Sequence, residues 1–215
     1  AGGEEASGRG ITKEEARAAA AQGLGDLDPD VRRLAARTLA HLVDRGDAEA
    51  FKRIARHVQR DRAWPVRWAA VDAMVHVAAG SDCSARAAEL LAERLEDKDW
   101  PVRRAAVGGL VKVEEPGNVL SLVMPRLHDE QEDVRIAVVR ILAQLCSPGD
   151  RTAIDACVGR AGDKRPAVRR AAVVALGRLA DRSDMPVLTT LHAARRDKDD
   201  SVQEAAEDVL YAWAA

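Results

Sequence analysis

The sequence predicts an all-α fold, an α-solenoid of about six helical-hairpin repeats in a right-handed superhelix. Two observations predict it. The string Asp-x-x-x-x-Val-Arg recurs along the chain, with successive valines 32 to 36 residues apart, and apolar residues follow each valine at the 3.6-residue period of a helix. Aromatic residues make up only 3% of the chain, so Ala, Leu and Val must form the core. Self-similarity at this period is typical of hairpins that bury apolar faces against their neighbours.

The domain organisation follows from the repeat. Residues 1–11 are polar and rich in glycine, so we expect a flexible N-terminal segment. Thr12 and Glu15 form a capping box that begins the first helix. Residues 12–215 are then a single repeat domain. Its repeats are expected at approximately 12–45, 46–80, 81–115, 116–147, 148–182 and 183–215.

Each repeat is predicted to contain a helix A, a short turn and a helix B, which gives about twelve helices. Helix B is the clearer element, and prolines at 65, 101 and 166 lie at or just before its start, where a missing N–H costs little. The last repeat differs, because Gln203 replaces the arginine and Glu207 replaces an alanine or valine. A polar outer face is typical of a terminal repeat, so we expect the array to end near residue 215.

Residues 163–179 (DKRPAVRRAAVVALGRL) carry a family resemblance. The pattern resembles HEAT repeats, and it is most similar to the HEAT-like repeats named after phycobilisome lyases, with the consensus D-x-x-x-x-V-R-x-x-A-x-x-A-L-G-x-L. The resemblance covers roughly residues 12–215. It implies that the B helices line the concave side. It implies a fold rather than an activity, because such repeats serve scaffolds, adaptors, chaperone-like lyases and a few enzymes.

The resemblance also implies that the turn aspartate and the arginine of helix B bond between neighbouring repeats. Such a structural ladder would satisfy helix N-termini and set the register of the array. A row of phosphate-binding arginines is the alternative interpretation, and Gln203 in the last repeat argues against it. The predicted ladder residues are Asp26, Arg32, Asp61, Arg67, Asp97, Arg103, Asp129, Arg135, Asp163 and Arg169.

Positions two, six and ten residues after each valine share one free face of the B helices. This face is basic through five repeats although the net charge of the chain is −2. We expect it to bind an acidic segment of a partner protein, with Trp68 and Ile136 as apolar anchors. An ordinary solvated face is the alternative. The predicted partner-binding residues are Arg33, Arg37, Trp68, Asp72, Arg104, Lys112, Ile136, Arg140, Arg170 and Arg178.

A second surface is suggested by the tetrapeptide Trp-Pro-Val-Arg, which occurs in two adjacent repeats. Trp64 and Trp100 are both predicted in the turn between helices A and B, side by side along one edge. They would either pack locally over the helix ends or form an edge patch that docks a partner.

The sequence predicts no catalytic, cofactor or metal site. It holds no Gly-rich phosphate loop and no Ser/His/Asp or Cys/His set. His41 and His76 occupy equivalent positions, expected near 10 Å apart, but two ligands make a weak metal site. Trp68 and Asp72 are similar to residue types in the groove of HEAT-like alkylpurine DNA glycosylases, although a second groove tryptophan is missing.

The expected function is therefore a non-catalytic scaffold or adaptor that binds an acidic and apolar protein surface on its concave face, either alone or as a subunit of a larger complex. A bilin-lyase-like or photosynthetic assembly factor and a DNA glycosylase are the alternatives. The near-neutral charge argues against nucleic acid, and no apolar run is long enough to span a membrane. Three cysteines without a CxxC motif indicate a reducing intracellular compartment, cytoplasmic or organellar. The sequence does not predict an oligomeric state.

Overall fold

The computed structural model describes residues 10–214, and most of the predicted flexible segment lies outside that range. The described residues form twelve α-helices and one short 3₁₀ segment, with no strand, so the predicted all-α fold and helix count are confirmed. In chain order the helices are α1 Lys13–Gly23, α2 Pro29–Leu42, α3 Ala48–Arg60, α4 Trp64–Ala78, α5 Ser84–Arg94, α6 Trp100–Val113, α7 Pro116–Val123, α8 Glu132–Leu145, α9 Arg151–Arg160, α10 Pro166–Leu179, α11 Met185–Ala194 and α12 Asp200–Ala214. The 3₁₀ segment Met124–His128 follows α7.

Local sequence explains where the helices begin. The predicted capping box is present, because Glu15 N–H donates to Thr12 Oγ1 at 3.2 Å and Thr12 N–H donates to Glu15 Oε2 at 2.9 Å. Aspartates 47, 150 and 184 cap α3, α9 and α11 in the same way through their side chains. Proline lies in the first turn of the helix-B elements α2, α4, α6 and α10.

The chain forms two compact units, one ending at Leu90 and the other beginning at Leu91, so the division falls inside α5. In the first unit α2 packs against α4, with α1 against α2 and α3 against α4. In the second unit α6, α8, α10 and α12 pack in succession, and α9 packs against α10 and α11. The apolar stripe of helix B faces the core of its unit, except that Val31 and Leu34 of α2 are exposed. The fully buried side chains of the stripe include Leu39, Met74, Leu110, Leu142 and Leu176.

Glycine turns tie two of the connections to helix B of the following repeat. Gly46 lies between α2 and α3, and its N–H donates to Val77 O near the end of α4 at 2.8 Å. Gly149 lies between α8 and α9 and donates to Leu179 O at the end of α10 at 2.7 Å. Their φ angles, 82° and 90°, are in the region that favours glycine. Each turn thus satisfies a carbonyl that the helix C-terminus leaves without an intrahelical partner.

In the second unit, a side chain of α12 lies too close to Gly177 of α10 for any larger residue at that position. A Cβ atom added to Gly177 of α10 would lie 2.6 Å from Cγ2 of Val209 in α12. A glycine inside a helix costs about 1 kcal/mol relative to alanine, and here close packing of two B helices explains its presence.

Candidate functional site

Arginines near the start of helix B bind aspartates of the next repeat in four of the described repeats. Arg103 of α6 is representative: its Nε and Nη2 atoms donate to the two carboxylate oxygens of Asp129 at 2.8 and 2.9 Å. Its Nη1 atom donates to the carbonyls of Asp97 and Lys98 in its own repeat at 2.8 and 3.2 Å. The same bidentate arrangement joins Arg32 to Asp61, Arg135 to Asp163 and Arg169 to Asp197. One guanidinium therefore closes a turn and joins two repeats.

These ion pairs keep the aspartates charged inside the protein. Burial alone would raise the pKa of Asp61, but hydrogen bonds from Arg32, His57 and the Ala63 N–H outweigh it and bring the pKa to about 2. The pKa values of Asp129 and Asp163 are lowered against burial in the same way, and that of Asp197 is lowered mainly by Arg169. Because these arginines are already bound to aspartates, they are not available to bind phosphate.

Two ends of the predicted ladder differ from the rest. Asp26 contributes its main-chain carbonyl to Arg32 Nη1 at 2.9 Å, while its exposed carboxylate accepts only the Asp28 N–H, at 2.8 Å. The prediction that the Asp26 side chain bonds between repeats is therefore wrong for the described residues. At the other end, Gln203 Nε2 donates to Asp197 O at 2.6 Å, so the amide keeps the contact within the turn. Arg67 makes the same turn contact, with Asp61 O at 2.9 Å.

The free face of the B helices is open in both units. None of its positions is buried in the described part of the chain. In the first unit α2 carries Arg33 and Arg37, and α4 carries Trp68 and Asp72. In the second unit the predicted residues lie on three successive helices, with Arg104 and Lys112 on α6, Ile136 and Arg140 on α8, and Arg170 and Arg178 on α10.

A cleft of about 470 Å³ lies on this face of the second unit. Ile136 and Arg140 of α8 form one side, and Arg170 and Val174 of α10 form the other. Ser201 at the start of α12, Pro166 and four alanines complete the lining. Val174 is 50% exposed. The lining of the cleft thus combines apolar side chains with two guanidinium groups.

Except for Arg33, the arginines of the free face have no carboxylate partner among the described residues, unlike the arginines of the ladder. Within residues 10–214, no ion pair engages Arg37, Arg104, Arg140, Arg170 or Arg178. Arg33 is the exception, because it lies 3.2 Å from Asp30 of its own helix. Unpaired guanidinium groups keep their full capacity for bidentate bonds to carboxylates.

The first unit contains a histidine pair that is tighter than expected. The ring centroids of His41 on α2 and His76 on α4 are 5.0 Å apart, in an edge-to-face arrangement. The predicted separation near 10 Å was wrong, because it used the spacing of helix axes and not the reach of the side chains. No group of three or more potential ligands for a metal ion occurs among the described residues. Trp68, which is 38% exposed, lies on the same helix face as Asp72, one turn away.

The two tryptophans of the predicted edge patch are the first residues of α4 and α6, and not turn residues as predicted. The following proline has a φ angle suited to a helix, so the helix begins one residue earlier. Trp64 is exposed and Trp100 is half-buried. They belong to different units.

Sequence reasoning missed two features. Val174 occupies a predicted free-face position, but its role as an apolar residue of the cleft was not recognised. The second is a cleft of about 600 Å³ between α1 and α3, lined by Arg53, Arg56 and Arg60. None of these three forms an ion pair with described residues. The sequence signal that could have revealed this cleft was the excess of basic over acidic residues on α3.

The described helices include none with the length and apolar character needed to cross a bilayer. Among the cysteines, Cys157 is buried, and burial raises the pKa of its thiol to about 12. An exposed, activated thiol is thus absent at this position.

Solved structures of repeat proteins resemble this fold. The Escherichia coli protein YibA matches with a TM-score of 0.71 at 20% identity, over 91% of this chain and 71% of its own. A designed armadillo repeat protein in complex with the peptide (KR)4 matches with a TM-score of 0.62 at 20% identity, over 93% and 99%. Computationally designed armadillo repeat proteins for modular peptide recognition match with a TM-score of 0.58 at 19% identity, over 90% and 98%. No curated protein matches the sequence.

Family membership rests on the sequence match. The model of the HEAT repeats matches residues 17–111 and 120–210, which is most of the chain. The ladder, the paired helices and the glycine turns described above recur within those two ranges. The chain belongs to the HEAT-repeat family.

Proposed function

We propose that this protein is a non-catalytic scaffold that binds an acidic and partly apolar segment of another protein along the free face of its B helices. The observation that carries the proposal is the cleft between α8 and α10. Exposed Val174, half-buried Ile136, Arg140 and Arg170 all line it, and neither arginine is paired within the described chain.

The chemistry of the cleft defines the partner. A carboxylate can accept two parallel N–H bonds from one guanidinium, and such charge-assisted bonds are about twice as strong as neutral ones. An apolar side chain of the partner would cover Ile136 and Val174 and remove their surface from water. The two groups would lie side by side in the partner, which should therefore carry Asp or Glu next to a large apolar residue.

The remaining residues of the face extend the same pattern. Arg104, Lys112 and Arg178 would add cationic contacts in the second unit, while Arg33, Arg37, Trp68 and Asp72 would offer a comparable surface in the first. Because the ladder holds the helices that carry these residues, little ordering entropy is lost on binding. Trp64 and Trp100 remain a proposed second contact for the partner.

The structural relatives support peptide recognition by this fold, with one instructive difference. The designed armadillo protein was solved with (KR)4, which is a basic peptide. The face proposed here is rich in unpaired arginine, so we infer a partner of the opposite charge.

A peptide-display selection on the immobilised full chain tests the proposal. We expect enrichment of sequences with Asp or Glu beside Leu, Phe or Trp. The double variant Arg140→Glu with Arg170→Glu should weaken binding of the selected peptides at least about tenfold. The matched control is Arg53→Glu with Arg56→Glu, which makes the same charge change on α3 and should leave affinity unchanged.

A second double variant, Trp68→Ala with Arg104→Glu, tests whether the rest of the face contributes for a long partner. If the α3 variant rather than the α8–α10 variant abolishes binding, the partner lies on the A-helix side and the proposed face is wrong. Tight DNA binding with a steep loss of affinity in salt would instead favour the nucleic-acid alternative, because each phosphate contact releases counterions.

A further inference from the structure

The outer side of the first hairpin, formed by α2 and the turn before it, is apolar and exposed. Leu27 is 97% exposed, Leu34 is 63% exposed and Val31 is 40% exposed. In the other five repeats, the valine equivalent to Val31 is completely buried. Exposed apolar side chains that lie together in one patch are typical of an interaction surface.

The residue types show that the apolar character is specific to this hairpin. The residue equivalent to Leu27 is charged in every other repeat, and the residue equivalent to Leu34 is alanine in every other repeat. These equivalents are Arg62, Lys98, Glu130, Lys164 and Lys198 for the first position, and Ala69, Ala105, Ala137, Ala171 and Ala205 for the second. Leucine therefore stands where the repeat pattern itself does not call for it.

Charged residues border the apolar surface on one flank. On a helix with 3.6 residues per turn, Leu34 lies at the centre of the outer face of α2, and Asp30 and Arg37 lie on the same flank, about one turn before and after it. Arg37 has no ion-pair partner among the described residues. Asp30 is exposed and pairs only with Arg33, at 3.2 Å.

We propose that this face binds the same face of a second copy of the chain, with the two α2 helices antiparallel across a two-fold axis near Leu34. Consider a two-fold axis perpendicular to both helices. It places each residue opposite a residue of the other copy that lies on the same flank of α2 and about equally far from Leu34 in the other direction along the helix. Asp30 of one copy then meets Arg37 of the other, and the pair occurs twice. The two copies of Leu34 meet at the centre, and Val31 meets Thr38 of the partner copy on the opposite flank.

This arrangement fits the charges better than a head-to-tail contact between copies. The outer residues of α12 include Glu204, Glu207 and Asp208, which would face Asp26, Asp28 and Asp30 near the start of α2. Like charges at that contact would repel. A small interface built on one helix pair lies at or below the usual size of specific interfaces, so the dimer should be weak.

Sedimentation velocity of the full chain from about 1 µM to about 500 µM tests the proposal, because interfaces of this size dissociate in that range. We expect a reversible monomer–dimer equilibrium. Leu34→Glu should raise the dissociation constant at least about tenfold. Met185→Glu, which places the same charge at another exposed apolar position, should leave the constant unchanged. Circular dichroism shows whether each variant keeps its helices.

The charged pair gives the decisive comparison. Arg37→Asp alone should weaken the dimer, because two aspartates would then face each other in each pair. The chain with both Asp30→Arg and Arg37→Asp should recover most of the lost affinity, which only a self-complementary interface explains. A protein that stays monomeric throughout, or a dimer insensitive to Leu34→Glu, would overturn the proposal. So would failure of the doubly reversed chain to recover.

Discussion

Removing one arginine of the ladder should cost far more stability than removing the exposed arginine beside it. Arg103→Ala deletes two bonds to Asp129 and two bonds to carbonyls of its own turn. Asp129, whose side chain is only 4% exposed, would keep the Gln131 N–H at 2.9 Å. Breaking a buried ion pair from one side costs about 3–5 kcal/mol, and this remaining bond places the loss near 3 kcal/mol.

Urea unfolding followed by far-UV circular dichroism measures that loss, and thermal unfolding should show a decrease of about 6–12 °C in the Tm for a chain of this size. Arg104→Ala is the control. Arg104 is the next residue on the same helix, it is exposed, and it makes no ion pair with described residues. Its replacement should change stability by less than about 0.5 kcal/mol.

The double variant Arg103→Met with Asp129→Leu separates the charge effect from packing. It removes both charges and leaves side chains of similar size, so most of the stability should return. A loss below about 1 kcal/mol for Arg103→Ala, or an equal loss for Arg104→Ala, would refute the structural role of the arginine column.

Three further outcomes are expected. The pKa of Asp61 is about 2 in the folded protein against an ordinary value of 3.8. Its ion pair therefore stabilises the fold fully above about pH 4. Roughly 2 kcal/mol of this stabilisation is lost as the pH falls towards 2. The difference in urea midpoint between the wild type and Arg32→Met should therefore narrow on acidification, and a constant difference would contradict this. Gly177→Ala should destabilise the protein by about 1–3 kcal/mol through a clash, whereas Gly108→Ala, where the added Cβ meets no atom within 4 Å, should stabilise it by about 0.5–1 kcal/mol. Cys157 should react with a thiol reagent at pH 8 only as fast as the protein unfolds, and mass spectrometry of labelled peptides would detect any faster reaction.

The repeated parts of the fold were predictable because each repeat packs against its neighbours through the same kinds of residues. The valine, the arginine and the turn aspartate recur together, so their period is visible in one sequence. The capping box at Thr12 was predictable for a similar reason, since its two residues act locally. The prediction that Trp64 lies in the turn was wrong, since it is the first residue of α4. Helix boundaries depend on where the chain turns and not on residue type alone.

The specific parts of the molecule were harder to predict. The distance between His41 and His76 depends on side-chain conformations across two helices, which a period does not contain. Val174 lies between Arg170 and Arg178 among the free-face positions of α10. Its role as an apolar residue of the cleft depends on Ile136 across the cleft, which the sequence of one helix does not show. The arginines that line the cleft between α1 and α3 belong to one repeat only, so comparing repeats with one another could not reveal what they form.

The bonds at the two ends of helix B have a mechanical consequence. Before the start of α10, Asp163 in the preceding turn accepts two hydrogen bonds from the guanidinium of Arg135. At the end of α10, Leu179 O accepts the Gly149 N–H. A rod fixed at one point can rotate about that point, whereas a rod fixed at both ends resists rotation and sliding. Within the second unit, α10 should therefore respond to an applied torque as a stiff element.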